Sequence, residues 1–162
     1  MNIPKLTALL LGFVLVSLAH FAHAQVPQYG ANINQAQTQK ALAGALAEAQ
    51  KINVPMAISV VDTGGHLIGF ARSDNTQIGS IAVSQDKANT AVLYRRPTKV
   101  FQGILAAGGD GLRVLTLRGV TAVEGGLPIM IDGKIVGAIG VSGGSAEQDG
   151  VVAKAGLDAL AK

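Results

Sequence analysis

The chain has 162 residues with no cysteine, 13 Lys and Arg against 10 Asp and Glu, and only 4% aromatic side chains. The absence of cysteine excludes a disulfide scaffold, a thiolate metal site and thiol catalysis together. The net charge of +3 is scattered, without the basic stripe and stacking aromatics that nucleic acid requires, so no nucleic-acid partner is expected.

Residues 1–24 read as a secretory signal peptide. Lys5 precedes an almost wholly apolar run, and Ala22-His23-Ala24 is a small-x-small cleavage site ahead of Gln25. The run is too short for a comfortable membrane span and no second one follows, so no membrane association is expected after cleavage. Residues 25–162 then form one exported domain, periplasmic or secreted, long enough to bury roughly two-thirds of its unfolded surface.

Asn34 can cap a helix running to about Ile52, with Leu42, Ala45, Leu46, Ala49 and Ile52 on one face. Residues 56–61 and 66–72 are short apolar runs around Asp62-Thr63-Gly64-Gly65, a hairpin pattern. Residues 80–94 are alanine-rich and helical, ending before Pro97. Thr98 is expected to cap a shorter helix that stops at Gly108-Gly109. Residues 108–124 read as loop with a short strand near 120–123. Strands at 127–131 and 134–141 then flank Asp132-Gly133, a preferred pair for a two-residue type I′ turn. The second strand passes through Gly143-Gly144 into Ser145-x-x-Gln148, a capping box that opens a last helix over 146–161. The order α–β–β–α–α–β–β–α predicts an α/β (α+β) fold with a largely antiparallel sheet covered by helices.

Three blocks carry a resemblance. Residues 60–75 (VVDTGGHLIGFARSDN) supply Asp62, Gly65, Leu67, Phe70, Arg72 and Asp74. Residues 81–98 supply Asp86, Lys87, Ala88, Thr90 and Ala91, and residues 125–149 match nearly throughout. In this order and spacing the chain resembles the GlcG/HbpS family, the so-called haem-degrading domain family. The resemblance implies a profilin-like three-layer sandwich with a five-stranded antiparallel sheet between helices, assembled into a homo-oligomer. Some members bind haem, some accompany glycolate or diol utilisation, and related domains are fused to corrinoid-handling enzymes. The leading expectation is an exported, non-enzymatic haem- or tetrapyrrole-binding protein. An enzyme acting on haem or a small 2-hydroxy acid, or an accessory or sensor module, is the alternative.

His66 is the only histidine left after cleavage and is read either as an axial iron ligand or as a polar turn residue. Met56, Met130, Tyr29 and Tyr94 are alternative ligands, each also readable as packing. Arg95 and Arg96, beside Tyr94, offer forks suited to propionates, or cations complementing a helix C-terminus. Gly143, Gly144 and Ser145 form either an anion site at a helix N-terminus or a tight turn closed by its capping box. Asp62 is read as starting a turn by bonding its own backbone and Arg72 as pairing locally with Asp74, or Asp86, Lys87 and Arg72 as lining a cleft or a subunit interface. Residues 140–144 fit G-x-S-x-G, but no histidine follows the serine, which excludes the hydrolase triad.

Overall fold

Asn34 opens the first helix as a complete capping box. Its Oδ1 accepts the Gln37 amide at 2.9 Å, and Gln37 Oε1 accepts the Asn34 amide at 3.0 Å. Such a cap stabilises a helix by about 1 kcal/mol. The structure, a computed structural model, describes residues 26–161, so the signal segment lies outside it. The elements are α1 (Gln35–Lys51), β1 (Ala57–Val61), β2 (Leu67–Arg72), α2 (Gly79–Leu93) and α3 (Thr98–Ala106). A 3-10 helix (Gly109–Thr116), β3 (Gly126–Ile131), β4 (Lys134–Ser142), α4 (Ala146–Asp158) and a final 3-10 turn (Ala159–Ala161) complete the chain.

The sheet order is β2-β1-β4-β3, antiparallel throughout, so two hairpins meet along β1 and β4. Asp132 and Gly133 take φ of 50° and 72°, the left-handed pair that a type I′ turn demands. Side chains alternate between two unlike faces. Ile58, Val60, Ile129, Ile139 and Val141 pack with Ala41, Leu42 and Ala45 of α1 and with Val152 and Ala153 of α4. On the opposite face Val61, Ile135 and Ala138 pack with Ala88, Ala91 and Val92 of α2. The remaining contacts there are polar: Ser59 Oγ lies 2.8 Å from Ser84 Oγ, and Ser142 Oγ donates to Ser80 Oγ at 3.1 Å. Gly140 and Gly126 let the α2 backbone ride close to the strands. A methyl group on either would strike the carbonyl oxygen of Ser84 or Lys87.

Among the described residues the sheet has four strands, not five. The strand expected near 120–123 does not form, because side chains claim its backbone groups. Thr90 Oγ1, which donates to Asp86 O of its own helix, accepts the Thr121 amide at 2.8 Å, and Gln102 Oε1 accepts the Glu124 amide. A fifth segment pairs elsewhere and only briefly. Tyr29 forms a parallel bridge with Ile135, through Gly30 N–H to Ile135 O at 2.7 Å and Ile135 N–H to Gln28 O at 2.8 Å. Thr98 is not the cap of α3 either; Pro97 holds that position. Thr98 Oγ1 instead accepts the Gly126 amide at 3.0 Å and donates to Gly126 O. With Pro128 lacking an N–H, the outer edge of β3 is thereby blocked against further pairing. The segment after Gly108 is a 3-10 helix followed by loop, and the last helix ends at Asp158 before its 3-10 turn.

Candidate functional site

The β1–β2 hairpin ends in a turn organised by Asp62. Asp62 Oδ1 accepts the amides of Gly64 at 2.8 Å and His66 at 2.9 Å, while Gly65 takes φ of 83°. The same carboxylate lies 3.2–3.3 Å from His66 Nδ1. With Nδ1–H donated to Asp62, the imidazole keeps one tautomer, and Nε2 is left as a free acceptor. The His66 side chain is 81% exposed. Burial pushes the Asp62 carboxyl up, but the amides of His66 and Gly64 and the His66 imidazole outweigh it and hold its pKa below the usual value. Under Gly65 lie Leu93 and Asn89 of α2. Asn89 Oδ1 is a buried acceptor that receives no hydrogen bond among the described residues.

The end of α2 gathers the aromatic and basic residues. Arg95 N–H bonds Val92 O and Arg96 N–H bonds Ala91 O, which is a Schellman closure. Its left-handed position usually carries glycine, yet here it is Arg95 at φ 54°. The Arg95 guanidinium stands 5.6 Å over the Tyr29 ring and donates to Pro27 O at 3.4 Å. Arg96 stands over the Phe101 ring and donates to Tyr94 O. Both tyrosines spend their hydroxyl protons on backbone carbonyls, Tyr29 on Val92 and Tyr94 on Arg118. Neither arginine has a carboxylate partner among the described residues. The structure thus brings Tyr94, Arg95 and Arg96 together. It leaves His66 at the neighbouring hairpin tip, with no hydrogen bond linking the two groups.

The glycine turn is occupied from within. Gly144 N–H donates to Asp149 Oδ1 at 3.0 Å, and the Gly143 amide also meets that carboxylate. Ser145 and Gln148 close their capping box at 2.9 and 3.2 Å. The anion expected at Gly143, Gly144 and Ser145 is therefore the protein's own Asp149, because its side chain folds back over the first turn. The other Asp149 oxygen takes a 2.6 Å bond from Lys87 Nζ, which also donates to Val141 O at 3.0 Å. Burial raises the Asp149 pKa, against the pull of Lys87 and the amides of Gly144 and Gly143. Lys87 is 1% exposed, so it lines neither cleft nor interface.

Two pairings escaped the sequence reading. Asp62–His66 is an i, i+4 pair across a Gly-Gly turn, visible only once the turn is known to be tight. Lys87–Asp149 had a signal: Lys87 falls on the same helical face as Ser84, Ala88 and Ala91, all buried. Among the alternative ligands Met56 is fully buried in the core, whereas Met130 is 42% exposed on β3. Among the described residues no helix is long and apolar enough to cross a membrane, and no His, Asp and Glu cluster could hold a bare metal ion.

A family model described as haem degrading protein HbpS-like matches residues 33–158. Protein GlcG of Escherichia coli K12 is 40% identical over 110 residues, covering 68% of this chain and 81% of that one. An uncharacterised 15.0 kDa protein from the dhaT-dhaS intergenic region of Citrobacter freundii is 36% identical over 134 residues, covering 82% and 94%. Among solved structures, a PduOC–haem complex superposes with a TM-score of 0.72 at 27% identity, covering 79% and 94% of the two chains. A doubly substituted HbpS of Streptomyces reticuli gives 0.73 at 27% identity, covering 81% and 88%.

Proposed function

The chain belongs to the HbpS-like family, and we propose that it is an exported, homo-oligomeric protein that binds haem or a related tetrapyrrole without chemically altering it. The Asp62–His66 pair carries this reading. A carboxylate that accepts Nδ1–H fixes the tautomer and raises the basicity of Nε2, the arrangement that suits an imidazole ligand to iron. Haem supplies an iron centre, a flat apolar body and two carboxylates. His66 Nε2 suits the first, the exposed Leu67, Ile68 and Leu93 around the hairpin suit the second, and Arg96 suits a propionate. The solved complex of PduOC with haem supports the ligand class. Leu112 at 53% and Leu115 at 70%, exposed three residues apart on one 3-10 helix, support assembly.

Haemin titration of the mature protein is the test. The Soret band shifts and saturates in the wild type, and His66→Ala abolishes or blue-shifts it with the circular dichroism spectrum unchanged. No Soret change with excess haemin removes the reading. Intact mass after expression in a secretion-competent host tests export, where loss of residues 1–24 is expected. An accessory role is the second reading, favoured by one match. The chain aligns to 35% of the length of the corrinoid adenosyltransferase PduO of Salmonella typhimurium, at 30% identity. That outcome predicts neither a Soret change nor turnover.

A further inference from the structure

A groove of about 300 Å³ runs over the outer edge of β3, walled by Pro27, Arg95, Pro97, Pro128, Met130 and Leu157. It is open to solvent and does not include His66. Past Met130 it adjoins a second hollow of similar volume, where Pro128, Met130 and Leu157 recur and Ile131 and Leu160 are added. Every lining residue of the two hollows is apolar except Arg95. The surface is therefore an apolar track with one positive charge at one end.

Arg95 is held there at a conformational cost. Its backbone sits in the left-handed region at φ 54°, where a residue other than glycine is strained by about 1 kcal/mol or more. The side chain is steadied by the Tyr29 ring and a long bond to Pro27 O, which among the described residues leaves most of its five donors unclaimed. No acidic residue lines either hollow. Among the described residues this guanidinium has no carboxylate partner.

We propose that this track binds a small monocarboxylate with an aliphatic body, the carboxylate on Arg95 and the chain laid across Met130 toward Leu160. Charge complementarity selects the head and the lining selects the tail. The volume lies at the low end for ligand pockets, which suits a medium-chain acid better than a macrocycle. The site is separate from the haem reading and does not depend on it.

The probe is octanoate, titrated calorimetrically into the mature chain, with octanol as the uncharged control. One saturable site per chain is expected, with octanol weaker by about ten- to a hundredfold, the worth of a charge-assisted contact. Arg95→Gln weakens octanoate by a similar factor, and Arg95→Lys recovers part of it. Met130→Glu, at a half-exposed position, abolishes octanoate binding. No saturable binding to the wild type overturns the proposal, as does equal affinity for octanol. Displacement of octanoate by haemin in the wild type overturns it too, by showing that the track belongs to the haem site.

Discussion

Removing the Asp149 carboxylate is expected to be among the costliest single changes in the domain. Its partner Lys87 is fully enclosed, at a Nζ–Oδ2 distance of 2.6 Å, with only Val141 O as a second acceptor. Asp149→Ala strands that ammonium and frees the amides of Gly144 and Gly143. Breaking a buried pair from one side costs about 3–5 kcal/mol, and the Gly144 amide loses its 3.0 Å acceptor to water. Roughly 5 kcal/mol is a large share of the stability of an ordinary domain. For the 136 described residues, 26–161, this corresponds to a fall in Tm of roughly 15–20 °C. Lys87→Met should cost less, about 2 kcal/mol, because the remaining carboxyl keeps its two amide donors and can take up a proton. Pairing the two substitutions should recover part of the loss, with a coupling above about 2 kcal/mol. Thermal and urea unfolding followed by circular dichroism measure all three variants. Simple additivity, or an Asp149→Ala cost below about 1 kcal/mol, would refute the reasoning.

Gly140→Ala is expected to destabilise by about 1–3 kcal/mol, since the new methyl group collides with Ser84 O and the Ala88 amide and must lift α2; urea midpoints test it. Asp62 titrates below its ordinary value in the folded chain, so its contribution is present above a pH of about 4 and is lost as pH falls through the lowered native pKa. In Asp62→Asn that acid-side decline should flatten, as read from melting temperatures between about pH 5 and 2. Light scattering at micromolar concentration should give a mass above the monomer, and a monomer alone would count against assembly.

Much of the fold was legible because local chemistry and topology agree. Asn34 and Ser145 announce their helices by capping boxes that both form, and Asp132-Gly133 announces a hairpin whose two residues take the required left-handed angles. That no strand forms near 120–123 was not legible, since the Val120 region looks strand-like in isolation. It is diverted only by Thr90 and Gln102, which lie at least 22 residues away in the chain. The site was legible in part. A lone histidine beside Asp62 is visible in the sequence, but their bond depends on the turn geometry. The fate of the glycine turn was hidden for the same reason. Nothing local says that Asp149 will fold back onto Gly144, or that Lys87 will arrive from a helix 62 residues earlier to meet it.

The two faces of the sheet also differ in how much variation they can absorb. The side covered by α1 and α4 is a pool of interlocking branched side chains, where one aliphatic group can trade volume with its neighbours. The side covered by α2 is closer to a machined seat, in which backbone rests on backbone across Gly126 and Gly140 and hydroxyls meet hydroxyls. A random library of this domain should therefore yield folded survivors that differ freely beneath α1 and α4 and hardly at all beneath α2. Distant homologues would be best aligned on the seat, and redesign for stability would be best begun on the pool.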